Sequence, residues 1–194
     1  GRVDLIVNNA GVCTEGAVGD VSLEDWRFVM DVNLWGVIYG CHSFVPILKN
    51  QGHGCIINIA SVAGLISMPE LGPYSVTKAG VVSLSETLAA EFADTEIQIT
   101  VVTPSMVKTN LLDTMRASDP KLEKFGELLM ARTGASAELV AQVALRTAQR
   151  GQLFAIPQRD ARLLSRLKRF TPGFARWLSN RVYRSTRLKK KSAP

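Results

Sequence analysis

Tyr74 and Lys78 stand four residues apart in the stretch GPYSVTKAG, residues 72–80. On a helix that spacing puts both side chains on one face, a turn apart. A phenol with its ordinary pKa of about 10 is a poor base at neutral pH. Bringing it to neutrality takes about 4 kcal/mol of preferential stabilisation of the phenolate, and a partly desolvated ammonium beside it has the right sign for that. Ser61, 13 residues before Tyr74, adds a hydroxyl able to hydrogen-bond a substrate oxygen. The three groups together make a proton donor or acceptor aimed at an alcohol or a carbonyl. Alone, Y-x-x-x-K more often describes a surface tyrosine next to a solvated lysine. The small residues Ser75, Ala79 and Gly80 argue for the chemical reading, because they let a second element approach closely.

Such groups converge only if the fold brings them together. VDLIV (3–7), CIINIAS (55–61), IQITVVT (97–103) and LFAI (153–156) are short, apolar and β-branched, the pattern of strands buried on both faces. Between them the periodicity turns helical. Ser22 caps a helix with an acidic first turn that runs to about Lys49. A second helix covers about Tyr74 to Ala93, with Leu84, Leu88 and Phe92 at helical spacing, and a third is capped at 136–150. Two or three helical pieces are expected over 105–132. Alternating strands and helices predict a doubly wound α/β fold, with a parallel sheet, right-handed crossovers and helices on both faces. Ligands then bind beyond the carboxyl ends of the strands. NNAG (8–11), Ser61 with VAG (62–64) and PSMVKTN (104–110) are polar or turn-forming clusters that each come directly after a strand, and all three fall at that same rim.

The composition narrows the alternatives. No apolar run reaches the ~18 residues of a membrane span. Three cysteines, Cys13, Cys41 and Cys55, are irregularly spaced, which suits a reducing, cytoplasmic setting and not a disulfide framework. His42 and His53 lie near Cys41 and Cys55, but the spacing matches no zinc pattern, so no metal is expected. The formal net charge is +6, and it is unevenly held. Residues 1–158 carry −5, whereas residues 159–194 carry twelve Lys/Arg against the single acid Asp160. The body therefore offers no nucleic-acid surface.

Taken together, NNAG (8–11), DVNLWGV (31–37), INIASVAG (57–64), YSVTK (74–78) and PSMVKT (104–109) make residues 1–157 resemble the short-chain dehydrogenase/reductase family. The resemblance implies a Rossmann-like, nicotinamide-dependent oxidoreductase using NAD or NADP on a small-molecule alcohol or carbonyl. It implies Tyr74 as acid/base, Ser61 as the group that orients and polarises the carbonyl, and Lys78 on the nicotinamide ribose, lowering the Tyr74 pKa. Asn33 would hold a water linking Lys78 to solvent, and the side chain of Asn9 would tie adjacent strands. Ala10 and Gly11 would leave room for the adenosine side. Pro104, Ser105, Val107 and Thr109 would meet the nicotinamide end, with Ser105 standing where the family usually has glycine. It also implies a homodimer or homotetramer formed through the helices at 31–49 and 74–93.

One family feature is missing from the sequence. No Gly-rich turn of the type that holds a pyrophosphate precedes NNAG. The expected architecture is therefore an N-terminally truncated Rossmann-type domain over 1–158, by itself inactive, with a basic amphipathic helical tail over 159–194. After Thr109, the residues Leu111, Leu112, Met115, Leu122, Phe125, Leu128, Leu129 and Met130 read as a flap. They either pack that flap or favour a hydrophobic lipid-, steroid- or retinoid-like substrate. In the tail, Leu163, Leu164, Leu167, Phe170, Phe174, Trp177, Leu178 and Val182 form an apolar stripe among arginines. Membrane-surface contact, docking on a neighbouring subunit and roofing of the pocket are all open to such a stripe. KKKSAP at 189–194 is expected to be disordered. The competing functional readings are a non-catalytic binding protein on the same fold and a membrane-surface protein.

Overall fold

The computed structural model describes residues 1–109, 111, 116–117 and 135–191. In chain order the elements are β1 (Leu5–Asn8), β2 (Thr14–Glu15), α1 (Leu23–Met30), a π-helical turn (Asp31–Trp35), α2 (Gly36–Gln51), β3 (His53–Ile59), α3 (Val62–Leu65) and α4 (Gly72–Glu91). They continue with β4 (Glu96–Val102), β5 (Val107–Lys108), β6 (Arg116–Ala117), β7 (Ala135–Ser136), α5 (Ala137–Gln149), β8 (Phe154–Ala155), α6 (Arg159–Phe170) and α7 (Pro172–Lys191).

The central sheet has the order β1-β3-β4-β8 and every pairing in it is parallel, with Val7 opposite Ile57 and Ile57 opposite Thr100. Its two faces bury alternate residues. Ile6, Ile56, Ile99 and Val101 pack with Val37, Cys41, Leu48, Val81 and Leu88 of α2 and α4. Ile57, Val102 and Ala155 pack under Ala144 and Ala148 of α5. Each fully buried aliphatic side chain contributes about 1.5–3 kcal/mol. The α5 side covers β3 and β4 but leaves Leu5 and Val7 of the edge strand 42% and 49% exposed.

Local signals set the helix ends. Ser22 Oγ accepts the Asp25 N–H at 3.0 Å and Ser136 Oγ accepts the Leu139 N–H at 3.2 Å. Gly52, at φ 82°, closes α2 in the left-handed conformation, its N–H reaching the Leu48 carbonyl at 2.8 Å. The helix expected to run unbroken from Ser22 is instead interrupted by the π turn at Asp31–Trp35, which widens the helix locally. The cause lies across the fold. Asn33 is fully buried there and makes three bonds to other elements.

Small residues fix how close the layers come. A Cβ on Gly64 would fall 2.6 Å from the Lys78 carbonyl group, and one on Gly80 would fall 3.0 Å from the Leu34 side chain. The Asn pair of NNAG divides its work differently from expectation. Asn8, not Asn9, ties the strands: its Nδ2 donates to Asn58 Oδ1 at 2.8 Å, and Asn58 Nδ2 donates to Ser85 Oγ at 3.0 Å. The alternation of the strand accounts for the exchange. Asn8, the last β1 residue, sits opposite Asn58 in the register, whereas Asn9 lies just past the strand.

The basic tail is helical, as expected, and forms two helices folded back on the body. Its end differs from expectation: helix α7 carries the backbone to Lys191, so Lys189, Lys190 and Lys191 are helical and not disordered, while 192–194 lie outside the described residues. Lys168 Nζ donates to the Leu65 carbonyl at 2.8 Å and Arg162 Nε to the Ile156 carbonyl at 2.7 Å. Of the expected flap residues, Leu111 is described and the others lie outside the described residues, as does the side chain of Val182.

Candidate active site

β1, β3 and β4 end side by side at Asn8, Ile59 and Val102. Beyond their ends opens a cavity of about 1450 Å³, lined by Asn9, Ala10, Gly11, Ser61, Tyr74, Lys78, Pro104, Ser105, Val107 and Thr109, among others. Of the expected catalytic and cofactor-binding residues, all but Asn33 border this one space.

Ser61 arrives in extended conformation at the end of β3 and caps the short α3, its Oγ accepting the Ala63 N–H at 3.1 Å and lying 3.5 Å from the Pro104 carbonyl oxygen. Tyr74 and Lys78 come from the first turns of α4. Pro73, near the start of that helix, needs no N–H there and costs it no hydrogen bond. The Ser61 hydroxyl lies close enough to the Tyr74 phenol to favour its ionised form, and both side chains border the cavity. Lys78 is 3% exposed; its Nζ donates to the Ile59 carbonyl at 2.8 Å and lies 5.7 Å from the Tyr74 ring centroid. The phenol, the hydroxyl and the ammonium therefore meet at one rim of the sheet.

The electrostatics run against one expectation. Lys78 does not draw the Tyr74 pKa down. Burial holds the phenol well above the usual tyrosine range, the Cys13 thiol adds to this, and the Ser61 hydroxyl works against it. Burial likewise pushes the Lys78 ammonium from 10.5 down to about 8, with Cys13 partly opposing. Desolvation disfavours the charged form of each group, and it is the largest influence on both. Tyr74 is thus held protonated at neutral pH.

Asn33 sits behind Gly11. Its Oδ1 accepts the Val12 N–H at 2.8 Å, and its Nδ2 donates to the Val12 carbonyl at 2.9 Å and to Thr77 Oγ1 at 3.3 Å. Both amide hydrogens are used, so the side chain clamps the segment after β1. A Cβ on Gly11 would stand 3.5 Å from Lys78 Nζ and 3.6 Å from Asn33 Oδ1, so both groups edge the same small volume. Thr109 begins no described helix; its Oγ1 accepts the Leu111 N–H at 3.4 Å in a turn.

Two further residues shape the site without belonging to any of the sequence motifs. Gln158 clamps the loop after β4, its Oε1 accepting the Ser105 N–H and its Nε2 donating to the Met106 carbonyl, both at 3.0 Å. A signal for it is present in the sequence: the fourth strand, like the other three, runs straight into a turn, here Pro157 and Gln158. Cys13 is buried on the cavity wall, its thiol pushed up to about 12 by burial and by Glu15. No spacing rule marks it. Of the roles open to the tail, roofing is realised: Leu164, Leu167, Ala175 and Leu178 of α6 and α7 line the cavity from above.

The family model for short chain dehydrogenase matches residues 1–120. The chain belongs to the short-chain dehydrogenase/reductase family. It is 39% identical over 130 residues to the cyclohexanol dehydrogenase of Acinetobacter sp. (strain SE19), covering 66% of this chain and 52% of that protein. To the 3beta-hydroxysteroid dehydrogenase 1 of Eggerthella lenta it is 36% identical over 147 residues, covering 74% and 56%. A short-chain dehydrogenase/reductase from Burkholderia phymatum, solved in complex with NAD, superposes with a TM-score of 0.80 at 29% identity over 87% of this chain and 66% of that one. The chain spans about half the length of the curated relatives it matches. Family membership accounts for the parallel sheet and for the common rim of the motifs.

Proposed function

We propose that the protein containing this chain is a nicotinamide-dependent oxidoreductase that interconverts a hydrophobic alcohol and its carbonyl compound, with Tyr74 as acid/base. The observation that carries the reading is the meeting of Ser61, Tyr74 and Lys78 on one cavity wall beyond the ends of parallel strands. A nicotinamide dinucleotide, NAD or NADP, supplies or accepts the hydride. The residues present fit its nicotinamide end. Lys78 Nζ reaches the cavity wall at the Ile59 carbonyl, and the backbone of 104–109 is pinned in place by Gln158 and by the pairing of β5 with β7. Lys78 would hold the ribose side, and Ser105, Val107 and Thr109 the carboxamide side. No Gly-rich turn for the pyrophosphate occurs in this sequence, so this chain alone is expected to be inactive.

The chain's own groups act on the substrate oxygen. Ser61 donates a hydrogen bond that orients and polarises it. Tyr74, held protonated by its surroundings, gives its proton to the carbonyl oxygen in reduction and takes it back from the alcohol in oxidation. Lys78, with a pKa near 8, can exchange a proton close to neutrality. The volume shared by Lys78 Nζ and Asn33 Oδ1 is the place for a water that relays it. The wall above is apolar, supplied by Ile66, Met68, Leu164, Leu167 and Leu178, which favours a bulky hydrophobic substrate over a small polar one.

Tyr74→Phe in the whole protein is the test. Loss of general acid/base catalysis lowers kcat by about 10²–10⁴-fold, with dinucleotide binding retained. A variant as active as wild type would end this assignment. The self-association expected from the family belongs to the outer faces of the π turn, α2 and α4, where Trp35, Tyr39, Ile47 and Val76 are exposed and the Trp35 and Tyr39 rings lie 5.6 Å apart. Sedimentation of a Tyr39→Glu variant would show the oligomer reduced; an unchanged oligomer would place the interface elsewhere.

A further inference from the structure

We propose that the outer face of α6 and α7 docks on an anionic lipid bilayer, seating the roof of the cavity on the membrane surface. The two helices are apolar on two sides. Their inner sides, through Leu164, Leu167, Ala175 and Leu178, line the cavity. That burial explains one stripe and leaves a second unexplained. Leu163 is 67% exposed, Phe170 76%, Phe174 52% and Trp177 53%. Leu163 and Phe170 are seven apart on α6, so they share a face, and Phe174 and Trp177 stack at 5.6 Å one turn apart on α7.

Charge complementarity selects the occupant. Residues 159–194 hold twelve cations and one carboxylate. On α6, Arg159 and Arg166 fall on the Leu163–Phe170 face, with Arg162 and Arg169 beside it; all four are exposed. On α7, Arg181 lies 5.6 Å over the Trp177 ring and Arg184 follows one turn on. Among the described residues no carboxylate forms an ion pair with Arg166, Arg169, Arg181 or Arg184. Large apolar groups set among unpaired arginines match a surface that is anionic outside and hydrocarbon beneath. A nucleic acid would satisfy the arginines and leave Leu163 and Phe170 in water. Among the described residues no helix is long and apolar enough to cross a membrane, so the contact is one of lying on the surface.

Membrane docking does not depend on hydride transfer, and binding can be measured without turnover. The 194-residue chain is sedimented with vesicles of phosphatidylcholine alone and with phosphatidylserine added, at 0.1 and 0.5 M NaCl, and Trp177 emission is followed with brominated lipid, a Trp177→Phe variant supplying the background of Trp26 and Trp35. Expected are at least tenfold tighter binding to the anionic vesicles, a several-fold loss at high salt, and quenching that disappears in Trp177→Phe. Phe170→Ser/Trp177→Ser and Arg166→Gln/Arg181→Gln should each lower binding about tenfold or more with circular dichroism unchanged, since all four side chains are exposed. Equal binding to both vesicle types, or no loss in either double variant, overturns the proposal. So does self-association in solution that Phe170→Ser/Trp177→Ser abolishes while vesicles bind no protein, because a second copy would then cover this face.

Discussion

Gln158 and Ser105 are 53 residues apart in sequence, yet the Gln158 carboxamide oxygen accepts the Ser105 N–H at 3.0 Å while the other end of the same amide donates to Met106. One side chain at the start of the roof helix thus does for the loop after β4 what a neighbouring strand would do.

Removing that clamp should be felt first at the nicotinamide end. Gln158→Ala strands the Ser105 N–H, whereas the Met106 carbonyl still receives the Ala135 N–H at 2.9 Å. An unsatisfied buried donor costs about 1–3 kcal/mol. In the whole protein we expect dinucleotide affinity to fall about tenfold while the KM for the carbonyl substrate barely moves, and Gln158→Glu, which keeps the acceptor, to recover part of the loss. Equal losses on both ligands would reduce Gln158 to general support of the fold.

Lys78 gives a pH signature in stability. Its folded pKa lies near 8 against an ordinary 10.5, so between those values the unfolded chain binds more protons than the folded one and stability rises with pH. Below about pH 8 the full penalty of burying the ammonium is present, on the order of 3 kcal/mol at 1.36 kcal/mol per pH unit. A Lys78→Met variant lacks this penalty. Urea midpoints measured from pH 7 to 10 should therefore show wild type gaining on the variant as pH rises; parallel curves would mean that Lys78 stays charged without cost.

Gly64 sets the spacing between Ser61 and Tyr74. A methyl there would meet the Lys78 backbone at 2.6 Å, so α3 must move off α4. Overpacking of this kind costs about 1–3 kcal/mol, and here it also displaces the Ser61 cap. Gly36→Ala is the control, because its nearest contact would be an ordinary 3.7 Å and alanine is the better helix former by about 1 kcal/mol. Thermal melts should fall for Gly64→Ala and hold or rise for Gly36→Ala; a neutral Gly64→Ala would show that the α3–α4 packing yields freely.

Much of this molecule is legible in its sequence because its signals are short-ranged. Runs such as CIINIAS and IQITVVT declare buried strands, Ser22 and Ser136 declare helix starts, and the clusters after three strands mark the working rim. The π turn at Asp31–Trp35 was not legible, because it answers to bonds that Asn33 makes with Val12 and Thr77, residues 21 and 44 positions away. The exchange of Asn8 for Asn9 turned on register, which a one-residue shift inverts.

The sequence by itself determined that strands and helices alternate, and that a phenol, a hydroxyl and an ammonium belong to one site. Local propensity suffices for the first, and for the second the order of the motifs that the chain shares with its family. Only the tertiary structure decided the protonation of that site and the fate of the basic tail. A pKa depends on how a group is surrounded by neighbours distant in the chain, and for Tyr74 and Lys78 desolvation is the largest influence. An amphipathic helix has two sides, and nothing in its periodicity tells which one meets a cavity and which is left facing outward.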